Sequence, residues 1–161
     1  MHIPRTPVFP LISGRHMIKE LLYLCKLFFS KVPPEETPLE NVILKHFPFK
    51  GYGAMMWCGK LISRVRIYNI YAWNHEGIHL RQAQKCGSWF IYYGLYLWYY
   101  VCGLGLPKDG AYYSIPFEME AYANQEDLGY TKISWKRYKI KNRRRAWLEN
   151  MSSWKDWIKT I

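Results

Sequence analysis

Hydrophobic and polar positions along this chain follow three different rhythms, and each predicts a different kind of element. From residue 17 to 31 (MIKELLYLCKLFFSK) apolar residues crowd one side of a helical period, with Lys19, Glu20, Lys26 and Lys31 falling between them. That pattern predicts an amphipathic helix lying on a core or on a membrane surface. Residues 32–40 (VPPEETPLE) bring three prolines and three acids, the composition of a rigid polar linker. Beyond the linker the period shortens. Residues 41–47, 52–58 and 61–68 are short segments rich in β-branched and aromatic residues, and Cys58-Gly59-Lys60 offers a tight turn between the last two. A small antiparallel sheet is the expectation, and its edge could pair with an extended peptide through backbone hydrogen bonds alone.

The helical period returns after residue 70. Residues 70–85 contain no proline and only Gly77 as a weak helix former. Glycine costs such a helix about 1 kcal/mol relative to alanine, a cost easiest to accept where another helix or a substrate approaches closely. Residues 88–106 (SWFIYYGLYLWYYVCGLGL) carry no charge and are bracketed by Lys85 and Lys108. A membrane span needs about 20 mainly apolar residues. This stretch is short, and it holds five tyrosines and three glycines in a chain whose mean hydropathy is −0.27. A crossing helix, and a helix buried in a core or lying at an interface, both stay open. Past a turn at Pro107-Lys108-Asp109-Gly110, Ser114 reads as an N-cap and Pro116 as a first-turn residue of a helix carrying Glu118 and Glu120.

These elements predict an α+β fold in a single domain, residues 1–161: a small antiparallel sheet followed by a helical core. Residues 1–40 would supply the amphipathic helix and linker, 41–130 the core, and 131–161 a basic C-terminal segment. At 161 residues the chain is long enough to bury a sizeable core without a second domain.

Charge adds a partner class. The net charge of +11 favours anionic partners. Residues 132–145 hold eight lysines and arginines and no acid. Trp135, Tyr138 and Trp147, interleaved with them, favour an anionic membrane surface over nucleic acid, since no nucleic-acid module accompanies the run. Residues 151–161 read as a short amphipathic helix. Four cysteines, Cys25, Cys58, Cys86 and Cys102, are widely spaced without a C-x-x-C pair. That excludes a disulfide framework and a cysteine zinc knuckle, and it fits a reducing compartment. Residues 1–14 lack the basic start, apolar stretch and cleavage site of a secretion signal, so a cytoplasmic or membrane-associated location is expected.

The candidate chemistry sits in His75-Glu76-Gly77-Ile78-His79, an H-E-x-x-H pattern. On a helix, residues four apart share a face, so His75 and His79 can direct imidazole nitrogens at one tetrahedral zinc ion. Glu76 is offset around the helix and free to take a proton from a metal-bound water. Glu118 and Glu120, about forty residues on, can supply a third ligand from the first turns of another helix, where the helix dipole also favours a carboxylate.

The segments 74–82 and 115–124, with the aromatic stretch between them, resemble a family of small bacterial proteins regarded as zinc metallopeptidases; the likeness covers residues 51–130. More distantly, the motif with its downstream E-x-x-A is similar to the gluzincins. The resemblance implies zinc as cofactor, His75, His79 and Glu118 as ligands, Glu76 as general base, and a peptide or protein as substrate. Gluzincins usually carry an aspartate four residues after the ligand glutamate, hydrogen-bonded to a ligand histidine, and here that position is Tyr122. Glu120 is therefore either an alternative ligand or, with Tyr122, a partner of the ligand histidines. Tyr122, Tyr130, Arg81 and Asn74 all stay open as oxyanion-stabilising groups. The rival expectation is a non-catalytic metal-binding or membrane-peripheral interaction protein, marked by a fourth protein ligand such as Glu120 or His46 closing the metal site.

Overall fold

The computed structural model describes residues 14–35, 37–47, 53–67 and 69–161. Residues 1–13, which dominate the segment read for a secretion signal, and Tyr52 and Tyr68, expected at strand ends, lie outside them. In chain order the elements are α1 (Gly14–Phe28), β1 (Glu40–Ile43), β2 (Ala54–Trp57), β3 (Lys60–Ser63), α2 (Ile70–Cys86), α3 (Trp89–Val101), α4 (Gly110–Tyr113), α5 (Pro116–Asn124), α6 (Arg143–Asn150) and α7 (Trp154–Trp157). Single 3-10 turns occupy Trp135–Tyr138 and Ile158–Thr160. The α+β organisation expected from the pattern is the one observed.

The sheet is mixed, not wholly antiparallel. β2 and β3 form the expected hairpin, and their two-residue turn places Cys58 at φ 46° and Gly59 at φ 83°. Positive φ at both turn positions matches the right-handed twist of the strands. β1 pairs parallel with β3, giving the order β1-β3-β2. The reason lies at the outer edge of β2, which faces α2 and α3: Met56 N–H donates to Glu76 and Cys58 N–H donates to Tyr93. That leaves the far edge of β3 for β1, where Asn41 also donates to Leu61 O and Ser63 Oγ.

α2 begins at Asn69, whose side chain accepts from Tyr71 N–H and Ala72 N–H, and it ends at Gly87 in the left-handed region. α5 begins differently from the expectation. Pro116 does occupy the first turn, but the N-cap position is Ile115. The Ser114 hydroxyl is already committed, donating to Gly110 O and accepting from Arg143 Nε.

α5 is buried on every side, with all of residues 116–121 inside. Phe117 and Ala121 face one cluster with Ile78, Ala83, Trp89 and Tyr92, while Met119 joins a second with Tyr138, Trp147, Trp154 and Ile158. A short helix shared by two cores is held rigidly, and it carries Glu118. The C-terminal aromatics thus belong to the interior: Trp135, Tyr138 and Trp147, interleaved with the basic residues in sequence, are buried. Arg143, read as part of a basic surface run, instead donates to Tyr99 O, Ala111 O and Ser114 Oγ, tying α6 to α3 and α4. Among the described residues no helix is long and apolar enough to cross a membrane.

Candidate metal centre

His75 and His79 lie one turn apart on α2, and Glu118 enters from the first turn of α5. All three are buried, and each offers a ligand atom within 4.8 Å of the others. His75 Nε2 and His79 Nε2 stand 3.1 Å apart. His79 Nε2 is 3.2 Å from Glu118 Oε1, and His75 Nε2 is 3.3 Å from Glu118 Oε2. Ligands about 2.0–2.1 Å from a tetrahedral zinc are separated by about 3.3 Å, so these spacings suit a single ion.

The hydrogen bonds behind the trio determine which nitrogens face it. Gln82 Nε2 donates to Phe117 O and to Glu120 Oε2, both of which can only accept. Its amide oxygen is therefore the atom 2.8 Å from His79 Nδ1, and Nδ1 must carry a hydrogen. Gln125 Oε1 stands in the same relation to His75 Nδ1, at 3.2 Å. With both Nδ1 atoms donating, the two Nε2 atoms turn towards each other and towards the Glu118 carboxylate. Glu118 Oε2 is buried beside His75 Nε2 at 3.3 Å, while Oε1 accepts from Tyr96 OH at 2.7 Å. Two inward-turned imidazole nitrogens beside a buried carboxylate make a set of groups that could hold a metal ion.

Electrostatics tell the same story in the metal-free chain. Burial disfavours charge on His79, but the Glu118 carboxylate more than reverses this and lifts the imidazole to about 9. Burial likewise works against the Glu118 carboxylate, and His79 with His75 overcomes it, holding Glu118 well below the usual carboxylate range. Glu118 thus stays ionised and a proton on His79 balances it. A divalent cation would have to displace that proton.

Glu76 stands outside the trio. Its Oε2 accepts from Met56 N–H at 2.6 Å, which fixes the carboxylate between α2 and β2. It lines two clefts, one of about 840 Å³ with His75, Tyr112 and Tyr122 in its wall, the other of about 540 Å³ with His79, Glu118, Tyr93 and Tyr96. Glu120 does not join the ligands. It is fully buried and accepts from Gln82, Tyr130 OH and Ser134 N–H, so it holds Gln82, and through Gln82 it orients His79. Tyr122 makes no hydrogen bond to a histidine but sets its ring edge-on to His75, centroids 4.5 Å apart. Asn74 donates to the carbonyls of Gln125 and Asp127, and Arg81 donates to Asn74. These two, and Tyr130 on Glu120, are occupied with holding the fold. His46 pairs with Glu20 at 2.8 Å, away from the trio.

Three residues with clear roles were not singled out from the sequence. Gln82 follows His79 by three positions on the same helix, and Gln125 follows Glu118 by seven, so helical spacing alone placed both on the right faces. Tyr96 gave no comparable signal, because α3 carries tyrosines on most of its inner side. No family model, curated protein or solved structure matches the chain.

Proposed function

We propose that this protein is a zinc-dependent hydrolase acting on peptide bonds, with His75, His79 and Glu118 as metal ligands and Glu76 as general base. The observation that supports the metal is the convergence of two imidazole Nε2 atoms and a buried carboxylate at 3.1–3.3 Å. Zinc bound there would acidify a water towards neutrality and polarise a carbonyl. The chain's own groups supply the rest. Glu76 can accept a proton at its carboxylate and return it to the leaving amine. Its hydrogen bond from Met56 N–H orients it. Gln82 and Gln125 keep the imidazoles in the tautomer that turns Nε2 inward.

The reading as a catalytic rather than a structural centre rests on the ligand count. Among the described residues the cluster has three members, and both candidates for a fourth ligand are engaged elsewhere, Glu120 by three donors and His46 by Glu20. Structural zinc sites are closed by four protein ligands, whereas catalytic sites keep a position open. Both clefts give access beside Glu76. Strand alternation puts the backbone groups of Ala54 on the same outer edge as Met56, and Ala54 lines both clefts, so an extended peptide has a strand to lie along.

The test is a peptide-library digestion with wild type and Glu76→Gln, each assayed for zinc. The expected outcome is cleavage by the wild type alone, with equal zinc in both proteins. Cleavage retained in Glu76→Gln would overturn the general-base role, and a zinc-loaded wild type that cleaves nothing would favour a non-catalytic metal protein.

A further inference from the structure

We propose that the outward faces of α1 and α3 form one surface that docks on an anionic lipid bilayer. α3 is built inside out. Trp89 and Tyr92 are buried and Tyr93, Tyr96 and Tyr99 pack against the core, so four of the five tyrosines point inward and only Tyr100 is exposed. The opposite stripe, at spacings of three or four residues, is Phe90, Gly94, Leu97 and Val101, flanked by Ile91 and Trp98. Those large side chains are exposed, Leu97 to 61% and Trp98 to 63%, and the helix carries no charge to solvate them. α1 repeats the arrangement. Leu24, Leu27 and Phe28 face the core, while Ile18, Leu22 and Cys25, with Phe29 just beyond, form an outward stripe. Phe28 and Phe29 stand 4.7 and 6.1 Å from Phe90 by ring centroid, which joins the two stripes into one patch.

Charge decides the occupant. Lys19 and Lys26 flank the apolar stripe of α1 and Lys31 follows Phe29, all exposed. Lysines at the rim of an apolar face with an exposed tryptophan suit the headgroup layer of a bilayer, where the ammonium groups meet phosphates and the ring sits at the interface. A second copy of the chain would bring a further net charge of +11 against the first, which opposes self-association through this face. Neither helix is long enough to span, so both lie in the surface plane. The 540 Å³ cleft is lined both by Phe28 and Leu97 of this region and by His79 and Glu118, so a docked bilayer lies beside the entrance to the metal centre.

The experiment is sedimentation of the full chain with vesicles of phosphatidylcholine containing phosphatidylglycerol, and with phosphatidylcholine alone. Wild type is expected to bind the anionic vesicles. Leu97→Ser with Trp98→Ser, both on the solvent side, should lower that binding about tenfold or more. Lys19→Glu with Lys26→Glu should weaken it at low salt while leaving far-ultraviolet circular dichroism unchanged. Arg144→Glu with Arg145→Glu, on the C-terminal basic segment, should bind as wild type does. Failure of the wild type to sediment overturns the proposal, as does binding that is lost only in the Arg144 and Arg145 variant. A stable dimer that Leu97→Ser and Trp98→Ser dissociate also overturns it, assigning the face to a second copy. None of these outcomes depends on the metal or on hydrolysis.

Discussion

Gln82 is the side chain on which the orientation of His79 turns. It spends its two amide hydrogens on Phe117 O and Glu120 and its oxygen on His79 Nδ1, with none of its surface exposed. Gln82→Met keeps the volume and removes all three bonds, so metal affinity should fall about 10- to 100-fold in competition with a chromophoric chelator. Affinity equal to wild type would show that Gln82 does not orient the ligand. Thiol chemistry offers a second check at this scale. Burial pushes the Cys58 thiol up to about 12 and Cys86 up to about 11. A raised value leaves less thiolate at pH 8, and the thiolate is the nucleophile. Iodoacetamide at pH 8 should therefore label the exposed Cys25 and Cys102 well before Cys58 and Cys86, as peptide mapping by mass spectrometry will show.

Among the elements, α2 was the most legible in the sequence. Its proline-free run and its paired histidines follow local rules that the structure obeys, while its caps, Asn69 and Gly87, were not singled out. Gly77 is the exception within it. A methyl group there would meet nothing closer than the Arg81 guanidinium at 3.7 Å, an ordinary contact, so no close approach explains the glycine. Gly77→Ala should raise stability by about 1 kcal/mol in urea unfolding without changing metal content. Gly110→Ala is the contrasting case, since its new carbon would lie 2.6 Å from both Leu106 Cβ and the Trp147 ring; it should destabilise by about 1–3 kcal/mol. The parallel pairing of β1 and the cap of α5 were not legible, for one reason. Each depends on a partner distant in sequence, Glu76 and Tyr93 occupying the β2 edge in the first case and Arg143 occupying Ser114 in the second.

At the scale of the molecule, the C-terminal segment shows what composition alone does not reveal. Its basic run is mostly exposed, but Tyr138, Trp147 and Trp154 complete the second core around Met119, Trp135 joins the first, and Arg143 reaches back to three acceptors on α3, α4 and Ser114. Arg143→Met should therefore cost about 2–3 kcal/mol by leaving these acceptors unpaired, read as a lower urea midpoint. The same segment buttresses α5 and with it Glu118, so the proposed metal centre depends on most of the chain length although the three residues proposed as ligands occupy two short stretches.

The most direct measurement is the zinc content of the purified wild type beside His79→Ala and Glu118→Ala, by elemental analysis after dialysis against metal-free buffer. One zinc per wild-type chain, with little or none in either variant, is the expected result. A wild type without metal, or variants that retain a full equivalent, would contradict the convergence of His75, His79 and Glu118 on a single ion.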